Sequence, residues 1–311
     1  MTLRRTVGER RPDLLLTIDF RGAYLPILFA WPRTPAIVWV RDPRTSEDIA
    51  RVSSLRLPDG RSERPYGIAP IDCTSLRWVD LAARVVRRPL HYGTVSPHLG
   101  EKIASTYGVM SRALHLLPNI VPPSLVPLQK SKRPQVIFLG RLDPIKRPWL
   151  FFDLAERFPA VEFLVLGQLH GRSNDSWQMD DTLPNVRHLG HLEGEEKERA
   201  LASAWLLVNT SIHEAVAFSF FEALAHRTPI VSCQDGGGLV SRFGIYVGWA
   251  AGDGRELLPA FESAIRRMLD DTALRERLGT EGQAWVAETH SADAFVTKLL
   301  ELGRLSGLPL N

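Results

Sequence analysis

Two cysteines, Cys73 and Cys233, are all that the 311 residues contain, too few for a disulfide framework or a cysteine-rich metal cage. A reducing compartment is the expectation. Long hydrophobic runs are missing too: Val161–Leu166 and Leu201–Val208 are short and interrupted, well below what a bilayer-crossing helix needs. Met1–Arg11 carries charge without an apolar stretch, so no secretory leader is expected. A cytoplasmic location follows, with a peripheral place at the inner membrane face left open. At 44% hydrophobic and 23% charged residues, neither disorder nor a fibrous repeat fits.

Excess charge is small overall, +3, but unevenly spread. Residues 1–130 hold 19 basic and 11 acidic side chains, the remainder 19 and 24. A basic first part suits an anionic membrane surface or a phosphorylated acceptor, and the plainer alternative is an arginine-rich solvated face. No nucleic-acid partner is expected.

The length suits two α/β domains. Ser124–Pro134, rich in proline and charge, reads as a linker. Beyond it, apolar strands at Gln135–Gly140, Val161–Gly167, Val186–Leu189, Trp205–Asn209 and Pro229–Cys233, with a short one near Ile245–Gly248, alternate with helices at Pro148–Phe158, Glu195–Ser203 and Phe218–His226. Such alternation indicates a parallel sheet covered on both faces, a doubly wound Rossmann-like domain. Helices are expected at Leu257–Leu269, Ala273–Leu278 and Ser291–Leu302. The expected division is 1–130, 131–290 and a helix over 291–311 bracing the two domains. In the first part, Asp13–Asp19, Ala36–Val40 and His91–Val95 read as strands, Pro97–Tyr107 as a helix capped by Ser96, and Arg44–Leu76 as a loop excursion with one short helix.

Two segments carry chemistry. Glu214 and Glu222 lie eight apart, the first in a loop and the second one turn inside a helix that starts at Phe218. A helix start offers unpaired N–H groups and a positive dipole end, so a diphosphate can settle at Phe218 and Ser219 while the carboxylates accept hydrogen bonds from hydroxyl pairs. A helix-terminal charge beside a solvated glutamate would give the same spacing. Arg141 and Lys146 follow the first strand of the second domain, where ligands of open α/β sheets bind, and two cations there can stabilise a diphosphate leaving group. A surface turn with its charges in water is the alternative.

Together Gly140–Lys146, Val165–Gln168, Val186–Glu193, Trp205–Ser211, Glu214–Ala225 and Thr228–Gly238 resemble, in order and spacing, the family-4 group of retaining glycosyltransferases with the GT-B fold. The resemblance covers residues 80–250 and implies two Rossmann-like parallel-sheet domains facing a cleft. It implies that Arg141 and Lys146 hold the donor diphosphate and, with Glu214 facing the transferred sugar, form the catalytic group. Glu222 would bind the ribose hydroxyls, and Ala217, Phe218 and Ser219 would border the phosphates. Leu189, Gly190, His191 and Leu192 would line the base, and Gly167 and Gln168 the donor crevice. The implied donor is a UDP- or GDP-linked sugar, and the acceptor a glycan, lipid or small molecule. The implied reaction retains configuration and uses neither cofactor nor metal; no D-x-D motif occurs.

Three departures stand out. Ala215 and Ala217 replace glycines usual in the family. The glycine-rich start of the first domain is absent, so that domain is expected to be incomplete, with an exposed sheet edge. Arg41 occupies the place of a histidine that contacts the sugar, and no histidine precedes His91. Arg41 either binds an anionic group on the acceptor side or pairs with Asp42 or Asp19. His188, His191 and His213 make no convincing metal site and read as polar lining; His98 and Asn119 read as structural or cleft-facing residues. A GT-B protein that binds a nucleotide or protein partner without catalysis is the second reading, and a sugar-nucleotide epimerase or hydrolase the third.

Overall fold

The computed structural model describes residues 11–18, 30–62, 73–109, 114–169 and 182–308. The expectations for residues 1–10 and for Asp19 fall outside them. The chain forms two compact units, one of residues 1–46, 69–120 and 290–311, the other of residues 47–68 and 121–289.

In the first unit Leu15–Ile18 (β1), Ala36–Val40 (β2), Leu90–Thr94 (β3) and Leu114–Leu116 (β4) make a parallel sheet in the order β1-β2-β3-β4. Ala36, Ile37, Val38 and Val40 are all buried, the continuous burial of a strand covered on both faces. Ser46–Ser53 (α1), which follows β2 in the chain, belongs from Glu47 onward to the second unit, whereas Cys73–Val85 (α2) and Leu99–Tyr107 (α3) are the helices this unit places between these strands. Ser96 does not cap α3 as expected; its Oγ lies 2.8 Å from His98 Nδ1.

The second unit is a six-stranded parallel sheet of Gln135–Leu139 (β5), Glu162–Leu166 (β6), Val186–Gly190 (β7), Leu206–Asn209 (β8), Ile230–Ser232 (β9) and Gly244–Tyr246 (β10). Its order is β10-β9-β8-β5-β6-β7, so the direction of winding reverses between β5 and β8. Ligands of doubly wound sheets sit at that reversal, beyond the carboxyl ends of the strands. The connecting helices are Pro148–Arg157 (α4), Gly194–Ser203 (α5), Phe218–Ala225 (α6) and Leu239–Phe243 (α7). Then follow Leu258–Asp270 (α8), Thr272–Thr289 (α9) and, in the first unit, Ala292–Leu305 (α10). Pro148 starts α4 where its missing N–H costs nothing. Val136 and Phe138 of β5 pack on one side with Phe151 and Phe261, and Ile137 on the other with Phe220 and Leu224. Successive residues thus feed two cores, as a strand buried on both faces must.

The two-unit division departs from the linear one at residues 47–68, 121–130 and 290–311. Leu55 and Leu57, isolated in a polar segment, join the core of the second unit, and Leu55 bridges to Gly252. Leu302 packs with Ile37 and Leu117, and Phe295 lies 5.6 Å from Trp39, within the first unit.

Helix α9 runs eleven residues past the expected end at Leu278. Gly279 follows that expected end directly, and glycine disfavours helix interiors. Here the glycines serve packing: a Cβ at Gly279 would stand 2.5 Å from the Arg227 carbonyl, and one at Gly282 would stand 2.6 Å from Leu224 Cδ2. Gly279→Ala is therefore expected to destabilise the protein by about 1–3 kcal/mol despite alanine's better helix propensity. Urea unfolding checks this, and unchanged or raised stability would refute the packing account.

Candidate functional site

A crevice of about 560 Å³ opens at the carboxyl ends of β5, β6 and β7 and at the start of α6, and the described residues that line it belong to the second unit. Hydrogen bonds lace the loops that build it. Gly140 N donates to Leu166 O (3.0 Å), Leu142 N to Gln168 O (3.0 Å) and Gly167 N to Gly190 O (2.8 Å). A Cβ at Gly167 would fall 1.8 Å from Gly140 O, so only glycine lets β5 and β6 end this close together. Across the winding reversal, Ile212 N donates to Ile145 O (2.8 Å) and Thr210 Oγ1 to Lys146 O (2.7 Å). These bonds bring Lys146, after β5, to Glu214, after β8.

Lys146 Nζ meets Glu214 Oε1 at 2.5 Å, and Ser211 Oγ (2.7 Å) and Asn209 Nδ2 (3.3 Å) donate to the same oxygen. Burial by itself would raise the Glu214 pKa, but the Lys146 charge and the three donors reverse this and leave it below its ordinary value. On α6, Glu222 Oε1 accepts from Lys197 Nζ at 2.8 Å. Each carboxylate is thus held through one oxygen by a lysine, while Oε2 takes none of these bonds and both residues line the crevice. Carboxylates fixed in this way are ready acceptors for hydroxyl groups.

Between them α6 begins at Ala217 with no side chain capping its N–H groups, and Phe218 and Ser219 line the crevice. Open N–H groups and the positive dipole end favour an anion there. Arg141 lines the same space with its Nη2 3.1 Å from Asp143 Oδ2. Asp143 also caps the short turn Pro144–Lys146, accepting from Lys146 N at 3.3 Å.

The structure brings together in this crevice Arg141, Lys146, Gly167, Gln168, His191, Leu192, Glu214, Ala217, Phe218, Ser219 and Glu222. Leu189 and Gly190 stand back from it, Leu189 packed against the core and Gly190 tied to Gly167 through its carbonyl. Arg41 belongs to the first unit, where it donates to Asn119 Oδ1 (3.1 Å) and stacks 5.2 Å over Trp39, while Asp42 Oδ2 pairs with Arg44 at 2.6 Å. Of the three histidines read as lining, only His191 lines the crevice. His188 stacks on Phe152, and His213 is buried with Nδ1 3.7 Å from Asp48 Oδ1. Sequence reasoning missed Lys197, Val216 and Glu193, which also line the crevice. Lys197 sits in the charged run Gly194–Arg199, where only its register with Glu222 distinguishes it. Among the described residues no group of three or more His, Cys, Asp or Glu side chains is placed to hold a metal ion.

The family described as Glycosyl transferases group 1 matches residues 126–285, which include every residue of the crevice. The chain belongs to this family. Solved structures agree on the fold at low identity. HepE of Anabaena, determined with UDP and glucose, aligns with a TM-score of 0.69 at 16% identity, over 99% of this chain and 80% of its own. Sucrose-phosphate synthase of Thermosynechococcus elongatus aligns at 0.68 and 16%, over 94% and 73%. TarM of S. aureus, determined with UDP among its ligands, aligns at 0.62 and 17% over 93% of this chain. The chain spans 55% of TarM's length. A search of curated proteins finds no significant match. The architecture is that of the GT-B glycosyltransferases: an α/β protein with two parallel sheets.

Proposed function

We propose that the chain is a glycosyltransferase that takes a nucleoside diphosphate sugar in the crevice of the second unit and passes the sugar to a glycan, lipid or small-molecule acceptor. The observation that carries this reading is the pair of lysine-held carboxylates on either side of an uncapped helix start, at the reversal of the sheet. The diphosphate would lie on the Phe218 and Ser219 N–H groups, with Arg141 and Lys146 beside it. As the bond to the sugar breaks, negative charge grows on the phosphate, and these fixed cations and dipoles favour that state over the ground state. Glu222 Oε2 would accept from the ribose hydroxyls, and Glu214 Oε2 from a hydroxyl of the transferred sugar. The backbone of His191 and Leu192 would meet the base. UDP is the favoured carrier over GDP, since HepE and TarM were both determined with UDP. Transfer would retain configuration without a metal ion, the departing phosphate taking the acceptor's proton. The donor side would be the second unit and the acceptor side the first, with Arg41 directed to an anionic group. The first unit's excess of basic residues suits an anionic membrane surface.

A second reading, nucleotide binding without transfer, is favoured by one observation: the methyl of Ala217 is buried in the crevice wall. Thermal-shift titration with UDP- and GDP-sugars, followed by product analysis, separates the two. A ligand held only by the folded state raises the unfolding temperature. Arg141→Ala and Glu222→Ala are each expected to weaken UDP binding about tenfold or more, the scale of one charge-assisted contact. Unchanged affinity in both variants would remove the site assignment. Binding with no sugar released, with or without acceptors, would select the second reading.

A further inference from the structure

We propose that α2 is a peripheral anchor that lays one face on an anionic phospholipid bilayer. The inference rests on the reading that the basic first part of the chain meets a membrane, and it names the element that does so. Trp78, Leu81 and Val85 are 66%, 50% and 76% exposed. Their spacing of three and four places all of them on one side of the helix, while Ala83, 4% exposed, faces the core. A tryptophan, a leucine and a valine presented side by side to solvent form a patch, unlike apolar residues scattered singly. Arg84 and Arg87 are exposed at its margin, and residues 77–88 hold four arginines and one acid, Asp80. The first unit as a whole has 16 basic and 9 acidic side chains.

An indole ring beside aliphatic side chains, bordered by cations, is the composition of helices that lie in the headgroup region. A second copy of the chain would also cover the apolar patch, but it would bring two positively charged units together. An anionic lipid surface satisfies both the patch and the charge. Among the described residues no helix is long and apolar enough to cross a membrane, so this contact lies on the surface.

The test is co-sedimentation of the full chain with vesicles of equal parts phosphatidylcholine and phosphatidylglycerol, against vesicles of phosphatidylcholine alone. Retention on the anionic vesicles only, weakened by salt, is expected. Trp78→Gln and Val85→Gln, both at exposed positions, should each lower the partition about tenfold, the scale of withdrawing one large apolar side chain from the interface, with the unfolding temperature and UDP affinity unchanged. If both variants bind the anionic vesicles like the parent, α2 is not the anchor although the charge reading survives. Absence of binding to any vesicle overturns both. A concentration-dependent dimer that either substitution dissolves, without vesicle binding, makes the patch a self-association surface and overturns the proposal.

Discussion

Lys146→Met is expected to lower the unfolding free energy by about 3 kcal/mol and to remove measurable donor binding, and adding Glu214→Gln should restore most of the stability but none of the binding. Lys146 is the cation that offsets the buried Glu214 carboxylate, at 2.5 Å. Taking one partner from a buried ion pair leaves the other charge uncompensated, which costs about 3–5 kcal/mol, and the lower figure suits a pair that borders a crevice. Glutamine keeps the shape and can still meet Ser211 and Asn209, so the double variant has no orphaned charge. It also lacks the cation proposed to face the diphosphate, so stability returns and affinity does not. A double variant as unstable as Lys146→Met would show that the ion pair is not the source of the loss.

The pH dependence separates charge from packing. In the parent the Glu214 pKa lies below its ordinary 4.5, because the Lys146 charge and the bonds from Lys146, Ser211 and Asn209 outweigh burial. Its contribution to stability is therefore complete above pH 4.5 and is lost only as the pH falls through the depressed folded value. Without Lys146 the burial effect is expected to win, placing the folded pKa above that of the unfolded chain. Between the two values the native state then holds a proton that the unfolded state has released, so stability falls as pH rises. Acidification from about pH 7 to about pH 5 should thus stabilise Lys146→Met relative to the parent. Urea unfolding at the two values measures it, and parallel changes would sink the electrostatic account.

The second sheet was legible because a parallel domain writes itself plainly: near-continuous apolar strands, prolines opening helices, and cations just past the first strand end. What escaped was made by contacts distant in sequence. Lys197 is one charge among several on α5 until α6 brings Glu222 within 2.8 Å of it. The glycines of α9 look like helix terminators until the Arg227 carbonyl is seen against Gly279. Leu55 and Leu57 lie in a polar stretch whose periodicity is too weak to reveal that they enter the core of the other unit. Helix α2 meets the expected loop Arg44–Leu76 only at Cys73–Leu76, and its Trp78, Leu81 and Val85 face solvent, so they offer no core-facing pattern to read. His213, polar and close in sequence to Glu214, reads as crevice lining, yet it is buried beside Asp48 of α1. Periodicity reports a residue's relation to its own element, and these five features depend on which other element arrives.

Lys130 shows the same dependence with a measurable consequence. It lies in the segment read as a linker, yet its Nζ is buried and donates to Ala204 O (2.6 Å), His226 O (3.0 Å) and Thr228 Oγ1 (2.7 Å). It thereby ties residues 121–134 to the C-terminal cap of α6, the helix whose other end forms the crevice floor. Burial, with Arg275 and Arg227 nearby, pulls its pKa from 10.5 to about 7. Below about pH 7 both native and unfolded chains carry this proton, and the native state bears the full cost of the buried charge. Between about pH 7 and 10.5 the native state has released it and the unfolded state has not, so this residue makes stability rise with pH. The full shift corresponds to on the order of 5 kcal/mol. A neutral amine has only two hydrogens for the three acceptors, which takes back about 1 kcal/mol. Lys130→Met should therefore cost little near pH 6, where losing the buried charge offsets the lost hydrogen bonds. It should cost about 2–3 kcal/mol near pH 9, where only the loss of bonds and their stranded carbonyls remains. Unfolding free energies for the two proteins that run parallel from pH 6 to pH 9 would show that Lys130 keeps its proton throughout, held by those three acceptors.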